Sequence, residues 1–268
     1  MLFNAKNATL SIHGSAMDYI HFGSGPRTLI ILPGLGDGLR TVKGTALPMA
    51  LMYRCFSRDF TVYAFSRKHD LPEGSTTRDM AQDLKDAMDA LHIEKADVLG
   101  VSMGGMIAQQ FAIHFPERLN KLVLAVTCPR PNPILEESIA EWLSCVQAGD
   151  HAALMDSNLR RIYSDGYYQK SKKLIPLLGK LTKPKSYTRF VILANACLNH
   201  DASHELSSIT AKTLVIGGQQ DIALGADASR ELASSIPGST LKIYPQWGHG
   251  LYEEASDFND IILEFLRS

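Results

Sequence analysis

The chain has 268 residues, of which 45% are hydrophobic and 21% are charged, and its formal net charge is −1. This composition is typical of a globular protein with a sizeable core, and the near-neutral charge excludes a strong general attraction to nucleic acid or to a membrane surface. No apolar run approaches the about 18 residues that a membrane-spanning helix needs.

The first residues show no basic region followed by a long apolar run, so we expect no signal peptide. The four cysteines lie far apart and form no C-x-x-C pair; they are Cys55, Cys128, Cys145 and Cys197. We therefore expect free thiols in a cytoplasmic protein.

Four short runs near the N-terminus predict strands, at residues 8–13, 16–22, 28–32 and 61–65. The first two form a hairpin, and the third is apolar throughout, which is typical of a strand covered on both faces. A glycine-rich loop, residues 33–38, follows the third run.

Two helices are predicted in the same part of the chain. The first covers about residues 45–57, and we expect Leu47, Leu51 and Met52 to face inward. The second begins at a capping box, in which Thr76 and Asp79 lie three residues apart. Its apolar stripe has helical spacing and comprises Met80, Leu84, Ala87, Met88 and Leu91.

The most informative stretch is the sharp junction at Ser102. An apolar run over residues 96–101 predicts a buried strand, and a helical pattern over residues 103–115 follows it without a loop. Gly100 and Gly104 let the neighbouring backbone pass close to a serine in a strained conformation. This G-x-S-x-G pattern between a strand and a helix is typical of a nucleophile elbow. A glycine-rich turn with only a structural role is the alternative.

The second half continues the alternation of strands and helices. Strands are predicted at residues 119–126, 213–216 and 240–244, with a helix at 226–235 and a C-terminal helix whose apolar face carries Phe258, Ile261, Ile262, Phe265 and Leu266. This order predicts a mostly parallel sheet with helices on both faces. Residues 128–208 contain helical patterns and no clear strand, so we expect a helical insertion over the carboxyl edge of the sheet, where ligands bind.

Ser102 needs a base, because a serine hydroxyl is a poor nucleophile at neutral pH, and the base needs an orienting acid. Asp221 and His249 each follow a predicted strand, so both fall at the sheet edge to which the elbow points. We expect His249 to take the serine proton, and Asp221 to fix the tautomer and stabilise the imidazolium. Taken singly, each residue is equally typical of a glycine-rich turn.

The charged oxygen of a tetrahedral intermediate needs two fixed hydrogen-bond donors. We expect the backbone N–H of Met103 to be one and that of Leu35 to be the other, with Gly36 as the substitute for Leu35. Gly34 and Gly36 would let this backbone approach the substrate. The alternative is a tight turn that needs glycine for its φ angles alone.

Four motifs resemble the α/β-hydrolase superfamily, in the single-cap branch of esterases, lactonases and C–C bond hydrolases. They follow the order of that family and are Leu32-Pro33-Gly34-Leu35-Gly36, Gly100-Val101-Ser102-Met103-Gly104-Gly105, Gly217-Gly218-Gln219-Gln220-Asp221 and Gly248-His249. Two positions depart from the family. Pro33-Gly34 stands where His-Gly is common, and only Arg67 remains of the Asp-x-Arg-Gly-x-Gly-x-Ser motif after the fourth strand.

The resemblance implies an α/β fold with a mostly parallel eight-stranded sheet, helices on both faces and a helical cap inserted after strand 6. It implies a hydrolase core of residues 1–127 and 209–268 and a cap of residues 128–208. It also implies a serine hydrolase that acts on a small to medium ester, thioester or lactone.

We expect the partner to be a small-molecule acyl substrate, with no cofactor or metal, no nucleic acid and no stable membrane association; the oligomeric state is left open. Hydrolysis of a C–C bond, or acyl transfer with the same triad, is the alternative within catalysis. A ligand receptor that turns over slowly or not at all is the alternative of another class.

A basic stretch between residues 160 and 189 carries nine Lys or Arg against one acid, Asp165. It predicts a solvated outer face of the cap or, alternatively, a surface that attracts an anionic substrate. Apolar residues in this stretch would line the pocket or hold the cap down; they are Leu174, Ile175, Leu177, Leu178 and Leu181. His200 and His204 have the spacing of metal ligands, but we expect no metal there, and we expect His69 on a loop surface.

Overall fold

The computed structural model describes residues 2–268, except for the side chain of Leu178. Its strands are β1 (Lys6–Ile12), β2 (Ser15–Gly23), β3 (Arg27–Leu32), β4 (Phe60–Lys68), β5 (Ala96–Val101), β6 (Leu119–Ala125), β7 (Lys212–Gly218) and β8 (Thr240–Tyr244). They form one sheet in the order β1-β2-β4-β3-β5-β6-β7-β8. Only the pairs β1–β2 and β2–β4 of this sheet are antiparallel. The predicted mostly parallel sheet of eight strands is therefore confirmed.

The helices are α1 (Ala46–Met52), α2 (Thr77–Ala90), α3 (Met103–His114), α4 (Pro133–Gln147), α5 (His151–Ile162), α6 (Asp165–Ser171), α7 (Ile175–Leu181), α8 (Thr188–Leu198), α9 (Asp227–Ser235), α10 (Leu251–Glu254) and α11 (Phe258–Arg267). A 3-10 turn, Leu35–Gly38, lies in the loop after β3. No helix within residues 2–268 has the length and apolarity that crossing a membrane requires.

Helices cover both faces of the sheet because its strands are apolar on both sides. In β3, Ile30 and Leu32 pack in one cluster with α2 and α3, whereas Leu29 and Ile31 pack in a second cluster with α1 and α11. Side chains alternate along a strand, so one continuous apolar run supplies both cores. The buried strand predicted from this run is confirmed.

The expected inward face of α1 is wrong for Leu47 and Leu51, whereas Met52 is partly buried against the second core cluster. Leu47 and Leu51 are 47% and 44% exposed, whereas Ala46 and Ala50 are buried. Both pairs have the same spacing of four residues, so periodicity does not distinguish them. The small alanines let the helix lie close to β2, and the leucines are left outside.

The capping box at the start of α2 is confirmed. The N–H of Asp79 donates to Thr76 Oγ1 at 3.1 Å, and the N–H of Thr76 donates to Asp79 Oδ2 at 2.8 Å. The stripe that follows packs in the first core cluster, with Leu91 partly buried at its end.

The helical segment, defined as residues 128–208, contains α4 to α8 and, where the structure describes it, no strand. α4 packs against α8, and α8 packs against the 3-10 turn after β3. These contacts place both helices at the carboxyl end of the parallel strands.

A buried polar network joins the end of the helical segment to two core helices. His200 Nδ1 lies 2.9 Å from Thr77 Oγ1 on α2, and His200 Nε2 lies 3.4 Å from Gln109 Oε1 on α3. Gln109 also donates to the carbonyl of Cys128 at 3.0 Å. Burial lowers the pKa of His200 to about 4, so the folded state holds a neutral imidazole. His204, by contrast, is exposed.

We expect acid to destabilise the fold through His200. Its pKa is about 4 in the folded state against 6.5 for an unperturbed imidazole, so its contribution is complete above pH 6.5 and is lost as the pH falls toward 4. The loss amounts to at most about 3 kcal/mol. Denaturant unfolding should therefore show that the stability difference between the wild type and His200→Gln shrinks over this range. His204→Gln is the control and should keep the wild-type pH dependence; a constant difference for His200→Gln would contradict the prediction.

Candidate active site

Ser102 alone turns the chain between β5 and α3. β5 ends at Val101 and α3 begins at Met103, so no loop residue relieves the turn. Ser102 has φ 54° and ψ −123°, a sparsely populated conformation that costs about 1–3 kcal/mol. Its N–H donates to the carbonyl of Ala125 at 2.9 Å, which ties the turn to the end of β6.

The neighbouring glycines allow this turn to pack. A Cβ on Gly100 would lie 2.5 Å from the carbonyl oxygen of Gly104 and 2.6 Å from the Cα of Gly105. A Cβ on Gly104 would overlap the carbonyl oxygen of Leu32. The first turn of α3 therefore lies directly against β3 and β5, which only residues without a side chain permit.

Asp221 and His249 form a buried pair at the same edge of the sheet. His249 Nδ1 lies 2.8 Å from Asp221 Oδ2, although the residues come from the loops after β8 and β7. Gly218 lets these loops meet, because a Cβ there would lie 2.5 Å from the carbonyl oxygens of Trp247 and Gly248. The two predicted partners are thus brought together.

The other oxygen of Asp221 is also occupied. Asp221 Oδ1 accepts the N–H groups of Ala223 and Leu224, each at 2.9 Å. A carboxylate held by three hydrogen bonds has one orientation, and it requires the hydrogen of a neutral His249 to be on Nδ1. Nε2 of His249 is then the basic nitrogen.

Ser102 and His249 line one cavity of about 20 Å³. No hydrogen bond joins the two side chains within the described part of the chain. The volume is enough for about one water molecule and is too small for an acyl group. The site is therefore in a closed form that must widen before a substrate can bind.

The lining of this cavity is mostly apolar. α3 contributes Met103 and Met106, and α4 contributes Leu135, Ile139 and Trp142. Cys197 of α8 also borders the cavity, and burial raises the pKa of its thiol to about 12. This thiol is neutral at physiological pH and is therefore a poor nucleophile.

The two expected oxyanion donors border the same cavity. The backbone N–H groups of Leu35 and Met103 donate to no acceptor among residues 2–268. The N–H of Met103 is unpaired because the first N–H groups of a helix have no partner within it. Both donors are therefore available to an oxygen that binds beside Ser102.

Comparisons with known proteins identify the family of this chain. A family model described as the alpha/beta hydrolase fold matches residues 27–146. A 2-hydroxy-6-oxo-6-phenylhexa-2,4-dienoate hydrolase from Comamonas testosteroni is 31% identical over 199 residues, which are 70% of this chain and 68% of that protein. This chain belongs to the α/β-hydrolase family.

Solved structures of α/β-hydrolases share the fold over nearly the whole chain. An enol-lactonase from Burkholderia xenovorans has a TM-score of 0.81 at 22% identity and covers 97% of this chain and 100% of its own. An α/β-hydrolase from a Medee basin deep-sea metagenome library has a TM-score of 0.85 at 20% identity, with 97% and 98% covered. Like its relatives in the family, this chain is a hydrolase.

The helical segment of this hydrolase holds the loop after β7, which carries Asp221, in place. Asn132 Nδ2 donates to the carbonyl of Leu224 at 2.7 Å, and Ser138 Oγ of α4 donates to the carbonyl of Ala223 at 3.1 Å. The N–H groups of Ala223 and Leu224 are the ones that bind Asp221. A continuous set of hydrogen bonds therefore runs from α4 through Asp221 to the histidine.

The end of α5 holds the loop after β8, which carries His249, in the same way. The N–H of Gly250 donates to the carbonyl of Ile162 at 2.6 Å. Tyr163 and Ser164 then donate their hydroxyls to Glu253 and Glu254, at 2.8 and 2.5 Å. His249 is thereby fixed from the α5 side as well as from Asp221.

Two arginines hold the loop that carries Leu35. The buried Arg67 donates its N–H to Asp37 Oδ2 and its guanidinium to the carbonyl of Pro33. Arg189 of α8 donates to Asp37 Oδ2 and to the Asp37 carbonyl, each at 2.8 Å. Sequence reasoning missed Asp37, and it offered Arg67 only as a remnant of a family motif.

The basic stretch contains two kinds of side chain, partly buried and exposed. Arg161 and Arg189 are only 16% and 17% exposed in their side chains and hold neighbouring elements, which corrects the interpretation of the whole stretch as a solvated face. The other seven bases are exposed, namely Arg160, Lys170, Lys172, Lys173, Lys180, Lys183 and Lys185.

The apolar residues of this stretch do not form a pocket lining. Ile175 is buried, whereas Leu174, Leu177 and Leu181 are 54%, 58% and 72% exposed. The side chain of Leu178 lies outside the described residues.

His69 has a partner that the sequence did not reveal. Its Nε2 lies 2.7 Å from Oδ2 of the buried Asp18, which also accepts the hydroxyls of Thr9 and Thr41. These hydrogen bonds lower the pKa of Asp18 against the opposing effect of its burial. The pair anchors the end of β4 to β2 and has no contact with the cavity lining.

We expect Arg189→Met to lower kcat because the loop carrying Leu35 loses its hold on α8. A displacement of about 1 Å at a reacting centre costs on the order of 10²-fold. Arg189→Lys should restore little of the loss, since one ammonium cannot reach the separate acceptors of a guanidinium. The measurement is kcat and KM with a chromogenic ester, alongside the melting temperature.

Arg160→Met is the matched control, because Arg160 is exposed and pairs with Asp156 on its own helix. It should leave kcat unchanged. A folded Arg189→Met enzyme with wild-type kcat would show that the Arg189–Asp37 contact does not position the loop that carries Leu35.

Proposed function

We propose that this α/β-hydrolase cleaves a small to medium ester, thioester or lactone through a covalent acyl-enzyme on Ser102. The observation that carries the proposal is that His249, which Asp221 holds by a hydrogen bond, lines one cavity with Ser102. Leu35 and Met103, whose N–H groups are unpaired among residues 2–268, line the same cavity. Nucleophile, base, orienting acid and oxyanion donors are the parts that acyl transfer requires.

In the first half of the reaction, Ser102 Oγ attacks the carbonyl carbon of the substrate while His249 Nε2 takes the hydroxyl proton. The carbonyl oxygen becomes an oxyanion and accepts the N–H groups of Leu35 and Met103. The C–O or C–S bond then breaks, and His249 returns the proton to the leaving group. Asp221 stabilises the imidazolium that exists between these two proton transfers.

In the second half, His249 takes a proton from a water molecule, whose oxygen attacks the acyl carbon. The tetrahedral intermediate uses the same two donors, and its collapse releases the carboxylic acid and restores the Ser102 hydroxyl. Each proton transfer in this cycle runs through His249, and the two N–H groups stabilise the oxyanion, so the proposed cycle uses no metal or cofactor.

We propose that residues 128–208 act as a cap on a core of residues 1–127 and 209–268. The support is that α4 covers the cavity with Leu135, Ile139 and Trp142, and that the closed volume of about 20 Å³ excludes a substrate. Binding then requires the cap to move relative to α3. The anchored ends of α4 and α5 must keep the triad loops in place during this motion.

The proposal also places the enzyme in the cytoplasm, with a small acyl compound as its partner and no nucleic acid or stable membrane association. All four cysteines are free, as is usual in a reducing compartment. Fractionation of the source cells tests the location.

Ser102→Ala should abolish steady-state ester hydrolysis and labelling by a fluorophosphonate probe, because the covalent step has lost its nucleophile. Asp221→Asn should keep the fold and lower kcat by about 10⁴-fold, since the amide favours the wrong tautomer of His249. Both are measured with chromogenic acyl esters of increasing length. Wild-type turnover in either variant would sink the triad assignment.

The second candidate is hydrolysis of a C–C bond, which the activities named for several relatives favour. One such relative, from Burkholderia vietnamiensis, is named for the hydrolysis of 2-hydroxy-6-oxononadienedioate and is 30% identical over 203 residues. The lining of this cavity provides no cationic side chain for a carboxylate, among the residues that the structure describes. The ester reaction on a neutral acyl group therefore stands first, and a receptor with little turnover remains the outcome if no ester is hydrolysed.

A matched pair of esters, one neutral and one with a terminal carboxylate, tests this order. We expect the neutral ester to have the higher kcat/KM, because the apolar lining does not repay the desolvation of a carboxylate. Raising the salt concentration should change both values alike, since exposed lysines act only through screened charges. A preference for the anionic ester that fades with salt would instead support steering by the basic stretch.

A further inference from the structure

Trp142 borders the cavity and carries a hydrogen-bond donor that the protein does not use. Its side chain is 6% exposed, and Nε1 is buried without an acceptor among residues 2–268. Leu135, Ile139 and Trp142 follow one another at spacings of four and three residues, so they form one face of α4 above Ser102. The other two members of this face have no polar atom in their side chains.

An unpaired indole N–H is expensive in a closed site. A buried donor that lacks a partner costs about 1–3 kcal/mol, and buried tryptophans usually find one. Phenylalanine would supply an aromatic ring at this position without that cost. A tryptophan here is therefore best explained if the N–H binds something that is not part of the protein fold.

The chemistry of the lining limits what that partner can be. The oxyanion donors and His249 serve the scissile group, and the other lining side chains are apolar apart from the neutral Cys197 thiol. A single neutral N–H suits a neutral oxygen acceptor, whereas a carboxylate would remain largely unpaired. The acyl group is the part of the substrate that remains bonded to Ser102 after the leaving group has departed, so we assign the acceptor to the acyl group.

We infer that Trp142 determines substrate specificity, with its Nε1–H donating a hydrogen bond to a neutral oxygen that the acyl group carries beyond the scissile carbonyl. The substrate class is then an oxo- or alkoxy-acyl ester, thioester or lactone rather than a plain alkanoate. This inference rests on the proposed function. In the free enzyme the N–H is available to a water molecule, which the acyl oxygen displaces on binding.

Two p-nitrophenyl esters of nearly equal shape test the inference. The 4-oxopentanoate ester carries a ketone where the 4-methylpentanoate ester carries a CH–CH₃ group. We expect Trp142→Phe to lower kcat/KM for the oxo ester by about five- to tenfold, the value of one neutral hydrogen bond, and to change it less than twofold for the methyl ester. The ratio of the two esters in each enzyme cancels their different intrinsic reactivities.

Leu135→Val is the matched control, because it alters packing on the same face of α4 without touching a donor. It should change both esters by the same factor. An equal effect of Trp142→Phe on both esters, with an intact melting temperature, would overturn the inference and leave Trp142 as a packing residue. If the wild type hydrolyses neither ester, the proposed function itself fails, and that outcome is distinct from an equal loss in the variant.

Discussion

The backbone turn at Ser102 is the constraint on which the rest of the site depends. A residue other than glycine keeps φ 54° and ψ −123° only where the surrounding structure enforces this backbone conformation. β5 is buried along its whole length, and the glycines at 100 and 104 let α3 press against it and against β3. The same turn starts a helix, so the N–H of Met103 is left unpaired beside the serine hydroxyl. One local geometry thus places the proposed nucleophile and a proposed oxyanion donor side by side.

The helical segment holds three loops that surround this turn. Asn132 and Ser138, at the start of α4 and within it, hold the loop that carries Asp221. The end of α5 holds the loop that carries His249, and Arg189 of α8 holds Asp37 in the loop after β3. In each loop, hydrogen bonds from a neighbouring element add to the packing of its buried apolar residues and fix its position. α4 and α8 also border the cavity. In the proposed mechanism, the motion that admits a substrate is therefore coupled to the hydrogen bonds that position these loops.

The position of the three proposed triad residues at one edge of the sheet was predictable because it depends on local patterns and one topological rule. A G-x-S-x-G between a buried strand and a helix marks Ser102, and residues that follow parallel strands meet at one edge, which brings Asp221 to His249. The hydrogen bonds that hold the loops in place were not predictable. Arg189 and Asp37 are 152 residues apart, and no periodicity links them. The exposed Leu47 shows the same limit, since its spacing to Leu51 equals that of the buried alanines beside them.

The central claim is that an acyl group becomes bonded to Ser102 during turnover. Rapid mixing with an excess of a chromogenic ester, acid quenching and mass spectrometry of the digested protein test it directly. The account predicts one added acyl mass on the peptide that contains Ser102, formed in a burst with the first equivalent of p-nitrophenol. Turnover with no adduct, or an adduct on a peptide without Ser102, would contradict it.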